Sequence, residues 1–112
     1  MSRTFEDEMA EARTALAAED IGRARTCARR AVGMVMQTTL GLGFGAGFYA
    51  TTYIEALRRL AADPHFPDAV RQAATRLVDR SNKERQSAST NPVQDAEIIL
   101  DFLAKLPLNQ KH

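Results

Sequence analysis

Apolar residues recur along this chain at steps of three and four, the period of helices that set one face against a core. Phe5, Met9, Ala12 and Leu16 make the first such stripe and predict a helix over 4–19. Glu6, Asp7 and Glu8 stand in its first turn, where the helix dipole favours anions. A second stripe of Ile21, Ala24, Ala28, Ala31, Val35 and Thr38, widened by Cys27, Val32 and Met34, predicts a helix over 21–40. Only Glu19-Asp20 separates the two, and Asp20 is fit to cap the second. The pair is therefore expected to be antiparallel neighbours.

The pattern then breaks. Residues 40–47 read LGLGFGAG, and glycine at alternate positions weakens any helix, so a loop or a broken helix end is expected. Tyr49, Tyr53, Ile54, Leu57, Leu60 and Ala61 predict a third helix over 49–62, stopped by Asp63-Pro64. A fourth starts near Pro67 and carries Ala69, Val70, Ala73 and Leu77, with Ala74 and Val78 beside them. Residues 80–91, RSNKERQSASTN, have almost no apolar content, and a polar loop is expected over 81–91. Asn91 as N-cap, Pro92 at the first helical position and Gln94 three residues on give the clearest start signal in the chain. Ile98, Ile99, Phe102, Leu103 and Leu106 follow, and 107–112 reads as a frayed tail.

These elements predict an all-α fold, an antiparallel up-and-down bundle of four main helices plus a short additional one. No strand pattern and no repeat array appears. The first helix pair resembles one tetratricopeptide unit, but one unit does not stack into a solenoid. Composition agrees. The 112 residues include 19 alanines, no Trp and only 6% aromatics, which favours closely packed helices over a sheet. That length suits one domain over 1–112. The core is thin in large side chains, so apolar helix faces are expected to pair in a homodimer.

A net charge of +1 gives no general attraction to nucleic acid or anionic lipid, so any such contact must come from a local patch. The single cysteine, Cys27, excludes an internal disulfide and a cysteine metal cluster, and it reads as a small core residue. The acidic start MSRTFEDEMAEAR is no secretory signal, and no stretch of eighteen apolar residues occurs. A cytoplasmic protein without membrane contact is expected.

Candidate chemistry is sparse. GLGFGAG follows no strand and lacks a Lys-Ser/Thr or a downstream acidic partner, so it is no dinucleotide or Walker site. His65 and His112 lie far apart and make no metal site. Glu8 with Glu11, and Glu97 with Asp101, have helical spacing but no accompanying Glu-x-x-His, so a di-metal bundle site is not supported. Neither metal nor cofactor is implied. Ser81, Ser87 and Ser89 have no assignable base. Arg59 and His65 stand six residues apart, and such a pair can hold a phosphate and move a proton in RNA cleavage. Arg23, Arg25, Arg29 and Arg30 crowd about two helical turns. If they meet the basic stretch from Arg58 to Arg85, a basic groove results, unless both are solvated faces neutralised by ion pairs.

The layout resembles the HEPN domain family. AEARTALAAEDIGRARTCARRAV is similar to that family's first helix pair, TTYIEALRRLA to its third helix, DAVRQAATRLVDR to the next, and NPVQDAEIILDFLAKL to the terminal helix after a polar loop. The likeness spans residues 4–106. It implies a helical bundle, dimerisation through helix faces, binding of nucleotide or RNA, and work beside a nucleotidyltransferase partner or in a toxin–antitoxin system. Catalytic members carry an Arg followed, after four to six residues, by a His near the junction before the final helix. Here 80–91 contains no His to match Arg80 or Arg85, and Arg59 with His65 sits one junction earlier.

Three functions are therefore expected, in this order. The first is a non-catalytic HEPN-like module that binds nucleotide, RNA or a protein partner through Arg23, Arg30, Arg80 and Arg85. The second is a metal-independent ribonuclease using Arg59 and His65. The third is a helical adaptor presenting Tyr49, Tyr53 and the glycine loop.

Overall fold

The computed structural model describes residues 3–78 and 91–106. Five α-helices make the fold: α1 (Phe5–Ala17), α2 (Ile21–Thr39), α3 (Tyr53–Ala62), α4 (Asp68–Val78) and α5 (Pro92–Ala104). Together they form an all-α bundle. The longest helix, α2, packs against each of the other four, α1 beside it through the tight link, and α5 closes the bundle against α2 and α4. No described helix is long and apolar enough to cross a membrane.

Local chemistry sets the ends. Thr4 caps α1 by accepting from the Asp7 N–H, and the Asp7 carboxylate accepts from the Thr4 N–H in return. That returned backbone bond, first among its causes, holds the Asp7 carboxyl below its usual value. Glu19 stops α1 in the left-handed region at φ 63°. The Asp20 N–H reaches back to the Ala15 carbonyl at 2.8 Å and the Glu19 N–H to Leu16 at 2.9 Å, a Schellman closure with glutamate where glycine is usual. Asp20 then caps α2 through the Arg23 N–H, and Asn91 caps α5 through the Gln94 N–H, both as expected.

Small side chains let the helices approach closely. Ala24, Ala28, Ala31, Ala56, Ala73, Ala74 and Ala96 are fully buried, and Leu57, Leu60, Leu77, Ile99, Leu103, Met36 and Val32 fill the space between. Gly33 belongs to this packing, since a Cβ there would stand 2.7 Å from the Tyr53 Cβ. One expectation for the stripes changes. On α2, Met36 is buried while Met34 and Val35 are only half-buried. Glu8, in the first turn of α1, is 3% exposed and is met by Arg3 in an ion pair of 2.9 Å.

The third helix starts four residues later than its stripe suggests. Thr52 caps it by accepting from the Glu55 N–H, and Tyr49 lies in the preceding loop. Tyr49 still packs against the core, which is why it continues the helical spacing without being helical.

Candidate functional site

The glycine segment forms a loop closed by its own backbone bonds. Gly41, at φ 86°, turns the chain out of α2 while its N–H stays on the Met36 carbonyl at 2.9 Å. The chain returns so that the Tyr49 N–H donates to Gly41 at 2.9 Å and the Gly43 N–H to Ala50 at 3.0 Å. The loop is thus pinned at its base, and its tip presents Phe44, 86% exposed, and Phe48, 44% exposed. Phe48 folds over Gly43, where a Cβ would lie 3.1 Å from the ring.

Beside the loop, four side chains from separate stretches form one network. The Arg59 guanidinium lies over the Tyr49 ring, 4.3 Å from its centroid, and donates to the Tyr49 carbonyl. The Tyr49 hydroxyl donates to Asp63 at 3.0 Å. The other Asp63 oxygen accepts from the His65 N–H at 3.0 Å and meets His65 Nδ1 at 2.8 Å. Phe66 backs Tyr49 edge-on, and Phe102 backs Phe66. Bonds from the His65 backbone and ring hold the Asp63 carboxyl below its usual value, with the Tyr49 hydroxyl adding to them. Burial first, and then the Asp63 carboxylate, push the Tyr49 phenol well above its ordinary range.

The outer side of this network is open. A cleft of about 380 Å³ is lined by Gly43, Phe48, Tyr49, Thr51, Glu55 and Arg59. With its Nδ1 proton directed at Asp63, His65 turns Nε2 toward solvent, and its side chain is 89% exposed. Arg59 and His65, paired in the sequence by spacing alone, are therefore linked through Tyr49 and Asp63. Asp63 read only as a helix stop in the sequence, and Phe44 and Phe48 carried no signal beyond their glycines. Asp-Pro-His did carry one, because an Asp that accepts from the N–H two residues on is an Asx turn.

Two of the four groove arginines, Arg23 and Arg30, lie among the described residues. Arg80 and Arg85 lie outside them. Arg23 pairs with Glu11, which also takes Arg3 at 2.6 Å, and so ties α2 to α1. The Arg23 hydrogen bond, the largest cause, keeps the Glu11 carboxyl below its usual value. Arg30 is exposed two turns further along α2. Arg29 donates to the Leu77 carbonyl at 2.7 Å, and Arg76 donates to Asp95 through Nε and Nη2 at 3.0 and 2.8 Å. Both hold α4 to its neighbours. Tyr53, named for an adaptor face, is half-buried against Gly33.

Ligand atoms of Glu8, Glu11 and Cys27 come within 4.8 Å of one another. The guanidinium groups of Arg3 and Arg23 already neutralise the two carboxylates. Burial, then Glu11 and Glu8, push the Cys27 thiol up, which opposes thiolate chemistry. Cys27 is a core residue, 2% exposed.

Comparison of the chain with protein-family models, with curated proteins and with solved structures finds no match.

Proposed function

We propose that this chain is a HEPN-like helical module that binds RNA or a nucleotide, without cleaving it, where the glycine loop meets α3. The observation that carries this reading is Arg59, held against Tyr49 on the wall of an open cleft beside the exposed rings of Phe48 and Phe44. A guanidinium fixed by stacking and by one carbonyl keeps further N–H donors for phosphate oxygens. Exposed aromatic faces next to such a group accept unpaired bases. Arg58, also exposed, adds charge beside it. This moves the phosphate site of the first reading away from Arg23 and toward Arg59.

Titration of labelled single-stranded RNA at two salt concentrations, followed by a gel of the RNA, tests the proposal. The expected result is salt-sensitive binding of intact RNA that weakens at least tenfold in Arg59→Ala and persists in Arg23→Ala. Binding unchanged in Arg59→Ala sinks it.

Cleavage is the second reading, favoured by one contact. The Asp63 carboxylate against His65 Nδ1 orients the imidazole and leaves Nε2 to take a proton from a ribose 2′-hydroxyl, whose oxygen would attack the adjacent phosphorus as the P–O5′ bond breaks, the 5′-oxygen leaving with a proton from water and a 2′,3′-cyclic phosphate remaining. Arg59 would then stabilise the phosphoryl charge. This reading requires cut RNA in the same gel, lost in His65→Ala while binding is kept.

A further inference from the structure

We propose that the trough between α1, α2 and α5 is a docking groove for a basic amphipathic helix of a partner protein. The trough shares no lining residue with the glycine-loop cleft. Its main part, about 640 Å³, has an apolar floor and walls from Phe5, Met34, Val35, Leu100, Leu103 and Leu106. A second part of about 410 Å³ continues it between α1 and α5 and shares Phe5, Leu100 and Asp101 with the first. It exists because α1 and α5 touch only lightly, each leaning on α2 instead. Phe5 stands at the join, 37% exposed. A large aromatic at the start of a helix gains little from that position unless something covers it.

The rim decides the occupant. Glu6, Glu97 and Asp101 border the trough, and Arg13 answers Glu97 at 3.0 Å. Glu6 and Asp101 have no ion-pair partner among the described residues. A helix with apolar residues at i, i+4 and i+7 and Lys or Arg beside them satisfies both the floor and these carboxylates. The length fits. From Glu97 to Ala104, α5 rises roughly 10 Å at 1.5 Å per residue, which is about two turns of a docked helix. A second copy of this chain fits less well. A two-fold contact centred on the trough would bring Glu6 and Asp101 of one copy toward the same carboxylates of the other.

The test uses the full chain and two labelled 18-residue helical peptides. Both carry leucine on one face, with lysine on the other face in the first and glutamate in the second. Fluorescence anisotropy at low and physiological salt should show the lysine peptide binding at least tenfold more tightly, with the margin narrowing as salt rises. Met34→Glu should lose binding of the lysine peptide, and the Glu6→Lys/Asp101→Lys double variant should reverse the preference. Both substitutions are at partly or fully exposed positions, and unchanged helical circular dichroism shows that the variants fold. Equal affinity for both peptides overturns the proposal, as does a preference that the double variant leaves unchanged. A dimer seen by sedimentation, abolished by Met34→Glu and undisturbed by the lysine peptide, gives the trough to a second copy and also overturns it.

Discussion

Around α2 and α4 several charged side chains are taken up in joining helices. Arg76 closes on Asp95, which is 4% exposed, and Arg29 ends on the Leu77 carbonyl. Arg23 and Arg3 close on Glu11. At the junction of the glycine loop with α3, the same residue types are only half consumed. Asp63 holds Tyr49 inward but carries His65 outward, and Arg59 gives one donor to the Tyr49 carbonyl while its face and remaining N–H groups stay at the surface. An arginine-rich sequence is therefore a poor guide to a basic site. What separates the two kinds of arginine is how much of the guanidinium is taken up and covered: Arg76 gives two N–H groups to one buried carboxylate, whereas exposed Arg59 gives one to a carbonyl.

The two regions should differ most in their sensitivity to truncation. Leu103→Ala, at a fully buried position of α5, is expected to cost about 2–5 kcal/mol, the range for leucines whose site collapses only in part. Urea unfolding monitored by helical circular dichroism measures it. A cost under 1 kcal/mol would mean that the bundle centre is loosely packed and that the contrast with the junction is wrong.

Removing a consumed polar partner should come next. Asp95→Ala leaves Arg76, whose side chain is 38% exposed, without its carboxylate. Because Arg76 can partly return to water, the expected cost is about 2 kcal/mol rather than the larger penalty of a fully buried orphan charge. The proposed RNA binding at the glycine loop should be untouched by this change. Lost binding at equal stability would show the two regions to be coupled.

Much of the first region was legible in the sequence. The helical period, the caps at Asp20 and Asn91 and the buried small residues on α2 and α4 are local signals, and local signals survive folding. Three features were not legible, each for a physical reason. Tyr49 keeps helical spacing although it lies in a loop, because packing against Phe66 and the core fixes its place rather than backbone periodicity. Arg23 reads as part of a basic face until α1 brings Glu11 beside it, and that contact depends on how two helices align. Glu19 gives no turn signal, because its left-handed conformation is imposed by the closure onto Ala15 and Leu16. Glu19→Gly is accordingly expected to raise stability by about 1 kcal/mol, since glycine adopts that region without the Cβ clash. A fall in stability would assign the glutamate side chain a role of its own.

Acid should expose the junction selectively. The Asp63 carboxyl lies below its usual 3.8 because the fold favours its charged form. That contribution is present above pH 3.8 and is lost as pH falls through the lower folded value. Asp63→Asn removes it, so the wild-type advantage in urea midpoint should be constant from pH 7 to about 5 and shrink below that. An advantage that grows toward low pH would reverse the sign and dissolve the Tyr49–Asp63–His65 link as described.

The smallest expected change in stability belongs to Phe44→Ala. Its ring is 86% exposed at a loop tip, so its loss should move stability by no more than about 0.5 kcal/mol. For RNA the same substitution should matter, because stacking of an unpaired base on an aromatic ring is worth about 1–3 kcal/mol. Anisotropy with single-stranded RNA should therefore record a fall of roughly fivefold to 150-fold in Phe44→Ala, while affinity for inorganic phosphate, measured by calorimetry, stays level. Equal loss for RNA and phosphate would place the effect in loop order rather than in stacking. No loss for either would leave the proposed binding to rest on Arg59 alone.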